Sequence, residues 1–341
     1  MPIPFILGAA AAVAAVTGIG AGVYGASKIK DAKDTMDRAQ RRHERNIRHY
    51  EKTQGACNTE MDELGTLEMQ ILNSFERFSD LIEKIHNRPK FEDIDLGDCT
   101  LPRYDPQHLR EVSLGAGVLL GSLGGAAAGT AGGMAAAGGV TAAVMALGSA
   151  STGTAIASLS GAAATNATLA LLGGGTIAAG GGGVALGSTL LGAATLGVGL
   201  MVGGAIFAFT GSKLSDKADE AWDQMKRAEE KIDTVCAFLN ELEEAAAAYR
   251  ETLESVQSVY GSHMDFLAGL LSKKRDWSMF SDTEKLNVKN LVHLASLLYS
   301  MCKVKLVLKS EEEEDLNVVN EADIDEQMTQ AEKVLDQIPV L

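Results

Sequence analysis

The sequence predicts an all-α protein in which long antiparallel coiled-coil helices flank a Gly/Ala-rich hydrophobic helical head. Three observations lead there. The chain has 6 prolines and 5% aromatics in 341 residues, a poor composition for a β-sandwich or an α/β enzyme. Apolar residues recur every three and four positions over two stretches, 26–88 and 214–273. Between them, Val112–Ser212 runs for 101 residues without Asp, Glu, Lys, Arg, His or Pro, and holds 27 of the 37 glycines. A domain facing water needs charge on its outer surface. So long a neutral run is therefore buried against protein, inserted in a bilayer, or moved between the two.

Residues 1–27 open the chain and are apolar from Ile3 to Ala26. No positive charge precedes this run, as it would in a secretory signal; instead Lys28, Lys30, Lys33, Arg38, Arg41, Arg42, Arg45 and Arg48 follow it. That order predicts a membrane helix with its C-terminal side, and hence the coils, in the cytoplasm; a cleaved signal is the alternative.

Residues 28–88 form the first coil. Ile29, Met36, His43, Tyr50, Cys57, Leu64, Ile71, Phe78 and Ile85 recur by sevens, with Ala32, Ala39, Asn46, Thr53, Glu60, Leu67, Ser74 and Leu81 as a poorer companion row. Ile47, Met61, Phe75 and Ile82 add an adjacent row. So broad a seam describes a bundle helix rather than a two-stranded zipper. Arg88-Pro89 closes it. Residues 89–111, with Pro102, Pro106 and Gly97, read as a linker.

The neutral stretch 112–212 carries Gly117, Gly121, Gly125, Gly129 and Gly133 at a strict spacing of four. On a helix this is a stripe without side chains, which lets a second helix approach closely in a bilayer. Gly18 and Gly22 continue the same device in the N-terminal segment. These glycines are the candidate packing and oligomerisation surface. Nine of the twenty residues Ser149–Thr168 are Ser, Thr or Asn. Thr165, Asn166 and Thr168 are the candidates for lining an aqueous lumen; the alternative is a turn with its hydroxyls bonded to local backbone. At about 1.5 Å per residue the stretch is long enough for four passes, and antiparallel coils would make their number even.

Residues 213–275 form the second coil. Its seam is Ala221, Met225, Ala228, Ile232, Val235, Leu239, Leu242, Ala246, Tyr249, Leu253, Val256, Tyr260, His263, Leu267 and Leu270. The two helices are of matched length, about 90 Å each, which predicts that they pair. An amphipathic helix over 281–309 opens on a Ser281–Glu284 capping box, with Leu286, Leu291, Leu294, Leu298 and Met301 on one side. Residues 310–341 are an acidic tail, eleven acids against Lys333, with a weak helix from about 322 to 338.

Net charge is −15, and a phosphate partner wants a basic face, so nucleic acid is not expected as a partner. Cys57, Cys99, Cys236 and Cys302 are scattered, which suits buried reduced thiols. Gly20-x-Gly22-x-x-Gly25 follows an alanine run instead of a strand, so it is no dinucleotide fingerprint. No catalytic, cofactor or metal constellation emerges, and an enzyme is not expected.

Residues 151–168 (STGTAIASLSGAAATNAT), the following LALLGGG and Leu64–Pro89 resemble a widespread bacterial family over roughly residues 26–212. That resemblance implies no assigned activity. The plan of long helix, apolar head and long helix is similar to α-helical pore-forming toxins of the haemolysin E and tripartite haemolysin type, and to apolipoprotein L proteins. This second likeness is architectural. The expected function is therefore membrane insertion of the glycine-rich head with homo-oligomerisation and permeabilisation. The alternatives are a membrane-embedded scaffold whose coils or acidic tail recruit a protein, and a soluble bundle that buries its apolar hairpin.

Overall fold

The computed structural model describes residues 23–89, 106–123, 214–308 and 318–341. They form α1 (Val23–Glu83), α2 (Pro106–Leu123), α3 (Leu214–Leu271), α4 (Asp282–Met301) and α5 (Glu321–Gln337). A two-residue antiparallel pair, β1 (Val307–Leu308) with β2 (Val318–Val319), links the last two helices. The all-α class is thus observed. The chain divides into two compact units: Met1–Arg48 with Val202–Ile232, and His49–Met201 with Asp233–Leu341. Both α1 and α3 contribute to each.

In the first unit, Ala32, Ala39 and His43 of α1 and Ala218, Ala221, Met225 and Ile232 of α3 are buried. Arg42 pairs with Glu229 at 3.0 Å and lies over the Trp222 ring at 5.9 Å.

The second unit holds most of the core. Of the α3 seam residues, only Ala228, in the first unit, is merely half-buried; every other member is buried. A three-four spacing of apolar groups on a helix makes one continuous face, and this face is the one removed from water. On α1 the sevenfold row from His43 to Ile85 is buried throughout, while Met36 is half-buried. The stretch Leu64–Ile82 buries more than one face. Glu68, Met69, Leu72 and Ser79 join the expected rows because α1 is covered from two sides here.

The direction of pairing differs from expectation. Within the second unit Arg250 reaches Glu60, Ser74 lies near the Tyr260 hydroxyl, Arg77 bonds Asp265, and Asn87 bonds Asp276, at sequence separations of 190, 186, 188 and 189. A near-constant separation means that the two helices run the same way; in an antiparallel pair it would change by two for each residue. The coils are therefore parallel, not antiparallel. Matched helix lengths are compatible with both directions, and direction is set by partner placement. The rings of Phe75 and Phe78 against Tyr260, at 6.4 and 6.2 Å, anchor this register. With parallel coils, the argument for an even number of membrane passes loses its premise.

Other boundaries also shift. Pro106 opens α2 inside the stretch read as linker, at the first helical position, where its missing N–H costs nothing. The capping box forms as read: Glu284 N–H donates to Ser281 Oγ at 3.3 Å, and Ser281 N–H donates to Glu284 Oε2 at 2.7 Å. The helix stops at Met301 rather than near 309, giving way to β1. Leu286 is 55% exposed, whereas Leu291, Leu294, Leu298 and Met301 are fully buried. The acidic tail is folded over 318–341: α5 buries Ile324, Ala331 and Val334, and Ile338 follows them into the core.

Asn87, with φ 53°, turns the chain out of α1 in a conformation that Asn tolerates better than most residues. There His86 N–H donates to Arg275 C=O at 2.8 Å, and Trp277 N–H donates to His86 C=O at 3.0 Å.

Candidate functional site: the apolar segment docked on the first coil

The neutral stretch begins at Val112, inside α2. Helix α2 runs back along α1: Arg110 meets Asp80 and Glu83, Ser113 meets Asn73 and Glu76, and Gly117 meets Asn73. Rising numbers on one helix against falling numbers on the other make this pair antiparallel.

Three kinds of contact hold α2. Leu109, Val112 and Ala116 are at most 5% exposed, and burying such side chains stabilises by about 1–3 kcal/mol each. Ser113, 1% exposed, donates its hydroxyl to Asn73 C=O at 2.7 Å and accepts from Glu76 N–H at 3.2 Å, so a buried hydroxyl is satisfied on both counts. Arg110 forks between Asp80 and Glu83 at 2.9 Å each. All three side chains are 42–53% exposed, so these ion pairs set register and contribute only about 0.2–1 kcal/mol each.

Gly117 lies on this contact. A Cβ there would come within 3.0 Å of Asn73 Oδ1. The side chain of Asn73 is exposed and can swing aside, so an alanine fits with a small shift, whereas a branched side chain has to push α2 away. Gly121 lies one turn further along α2. Gly125, Gly129, Gly133, Gly18, Gly22, Thr165, Asn166 and Thr168 lie outside the described residues.

Ser113, Arg110 and Asn73 were not foreseen from the sequence. Ser113 had a signal: it precedes Gly117 by four and so extends the same row of small residues. Arg110 fell in the supposed linker, and Asn73 is an unremarkable exposed position on α1. We expect Ser113→Ala to cost about 1–2 kcal/mol of α2 docking, and Gly117→Leu to displace α2 outright. Hydrogen exchange over 106–123 reads both. Unchanged protection in Gly117→Leu would show that the close approach at Asn73 is not needed.

A second polar group sits deeper. Tyr249 is fully buried and donates its hydroxyl to Met301 C=O at 2.8 Å. Burial raises its pKa well above the ordinary tyrosine value, and the charges of Glu68, Cys302 and Asp323 push it the same way. Cys302 is likewise raised by burial and then by Glu68, while burial and Glu243 push the Cys57 thiol up to about 12. Cys57, Cys236 and Cys302 are free, buried thiols; thiols held protonated in this way are poor nucleophiles. Among the described residues no group of three or more His, Cys, Asp or Glu is placed to hold a metal ion. None of the described helices is long and apolar enough to cross a membrane. No family model matches the chain, and neither the curated proteins nor the solved structures contain a match.

Proposed function

We propose that this is a membrane-active helical protein whose neutral segment 112–212 inserts in a bilayer, self-associates along its glycine stripe and permeabilises the membrane. One observation carries the reading: 101 consecutive residues without an ionisable side chain lie between two charged coils. Side chains of that composition gain nothing from facing water, and a spacing of four between glycines suits helix contact in lipid. The docking of α2 on α1 supports a conditional form of the reading, in which the leading turns of the segment rest on the coil before insertion.

The same docking favours a second reading. Leu109, Val112 and Ala116 are sheltered by the chain itself, as they would be in a soluble bundle that keeps its apolar hairpin covered. Fractionation with an alkaline carbonate wash, followed by dye release from liposomes, separates the possibilities. Permeabilisation predicts a carbonate-resistant pool and release. A scaffold predicts the pool without release. A protein that stays in the supernatant and releases no dye overturns the proposal.

A further inference from the structure

In the first unit, Arg38, Arg41, Arg45 and Arg48 stand on α1 at spacings of three, four and three. At 3.6 residues per turn, these spacings put all four guanidiniums on one face of the helix, along about 15 Å. All four residues are exposed. Among the described residues none of the four has a carboxylate within ion-pair distance, whereas Arg42, Arg77, Arg110 and Arg250 all do. The only described side-chain bonds of the four are from Arg38, to Asp34 C=O at 3.2 Å and to Thr35 Oγ1 at 3.1 Å. Asp34, one turn before Arg38, Glu51, about one turn after Arg48, and Asp37 and Glu44 on the flank are the nearest acids along the helix. Four unneutralised arginines in line, in a chain of net charge −15, are a departure from the rest of the molecule and call for an anionic surface of similar length.

We infer that this ridge binds the headgroups of an anionic lipid bilayer. The inference rests on the membrane reading above and names the surface from which insertion starts. A bilayer suits the ridge better than a nucleic acid does. Eleven residues, among them Lys28, Lys30 and Lys33 with Asp31, Asp34 and Asp37, separate the ridge from the apolar residues 3–26, and a basic segment on the flank of an apolar one is placed to meet headgroups. Trp222, half-buried beneath Arg42 and with Lys226 Nζ 5.9 Å from its ring, adds an aromatic side chain of the type found at membrane interfaces.

The test uses the full chain and the variant Arg38→Gln/Arg41→Gln/Arg45→Gln/Arg48→Gln. Gln keeps helix propensity, and circular dichroism checks that helix content is retained. Flotation is measured on vesicles of phosphatidylcholine alone and on vesicles with about one third phosphatidylserine, at low and high salt. The wild type is expected to prefer the anionic vesicles, to lose that preference in high salt, and to bind them about 10²-fold more tightly than the variant does. Equal binding to both vesicles, or a variant that binds like the wild type, overturns the ridge proposal. So does an oligonucleotide that displaces the wild type from anionic vesicles and is itself bound through the same arginines. Dye release from the same vesicles reads insertion separately. Anionic binding without release sinks permeabilisation and leaves the ridge standing; release without anionic preference does the reverse.

Discussion

Tyr249→Ala is expected to destabilise the second unit by about 3–5 kcal/mol, and Tyr249→Phe by only about 1 kcal/mol. The side chain is fully buried, in line along α3 with Leu242, Ala246 and Leu253, which are also fully buried. Alanine there removes a whole ring from a close-packed interior and leaves a cavity that rigid helices cannot close. Phenylalanine keeps the ring and loses only the bond from Tyr249 Oη to Met301 C=O. That carbonyl also accepts from Val304 N–H at 3.1 Å, so it is not left bare, which places the cost at the low end for a lost hydrogen bond. Urea unfolding of the full chain, with hydrogen exchange over Asp282–Met301, reports the difference. If alanine proved as mild as phenylalanine, the space between α3 and the end of α4 would be shown to be loosely filled.

The same residue shows how much of the fold could be read in advance. Tyr249 lies on the seam because apolar groups spaced three and four apart force one helix face inward, whatever covers it. Periodicity therefore named most of what α3 buries, but not Ala218, Cys236, Phe238, Val259, Met264 and Leu271. It named less of α1 between Leu64 and Ile82, where Glu68 and Ser79 are buried as well. A period describes one face, and a helix covered on two sides has two. Direction was illegible for a different reason. Residues on a seam repeat alike in either sense, and the parallel register is visible only in particular partners such as Arg77 with Asp265 and Asn87 with Asp276. The candidate site was half legible. Gly117 was named from spacing alone, but its neighbour Asn73 belongs to a contact 44 residues back along the chain, and no local pattern marks that.

Acidification is expected to weaken the second unit by about 2–3 kcal/mol between pH 6.5 and 4, and His293 is the main cause. Burial, helped by the charge of Lys289 one turn earlier, lowers its pKa from 6.5 to about 4, and Nε2 has no hydrogen-bond partner among the described residues. Above pH 6.5 the imidazole is neutral whether the chain is folded or not, and it contributes no pH dependence. Below 6.5 the unfolded chain takes up a proton that the folded chain refuses until about pH 4, so each step down favours unfolding; below 4 both states are charged and the loss stops growing. Burial lowers His263 as well, although its Nδ1 contact with Val259 C=O at 3.0 Å opposes the shift, and His263 adds to the slope in the same sense. Carboxylates act lower on the scale. Bonds from Ser278 hold Asp276 below its ordinary 3.8, and Lys274 holds Glu284 below 4.5, so their contributions fade only beneath those values. Stability measured by urea midpoint against pH should therefore fall in two separable stages. His293→Gln should flatten the upper stage while leaving the lower one, whatever its effect on stability at neutral pH. A variant whose slope between pH 6.5 and 4 matches the wild type would assign acid sensitivity elsewhere. Both histidines lie in the unit that holds α2, so the protons that loosen it weaken the support on which the neutral segment begins.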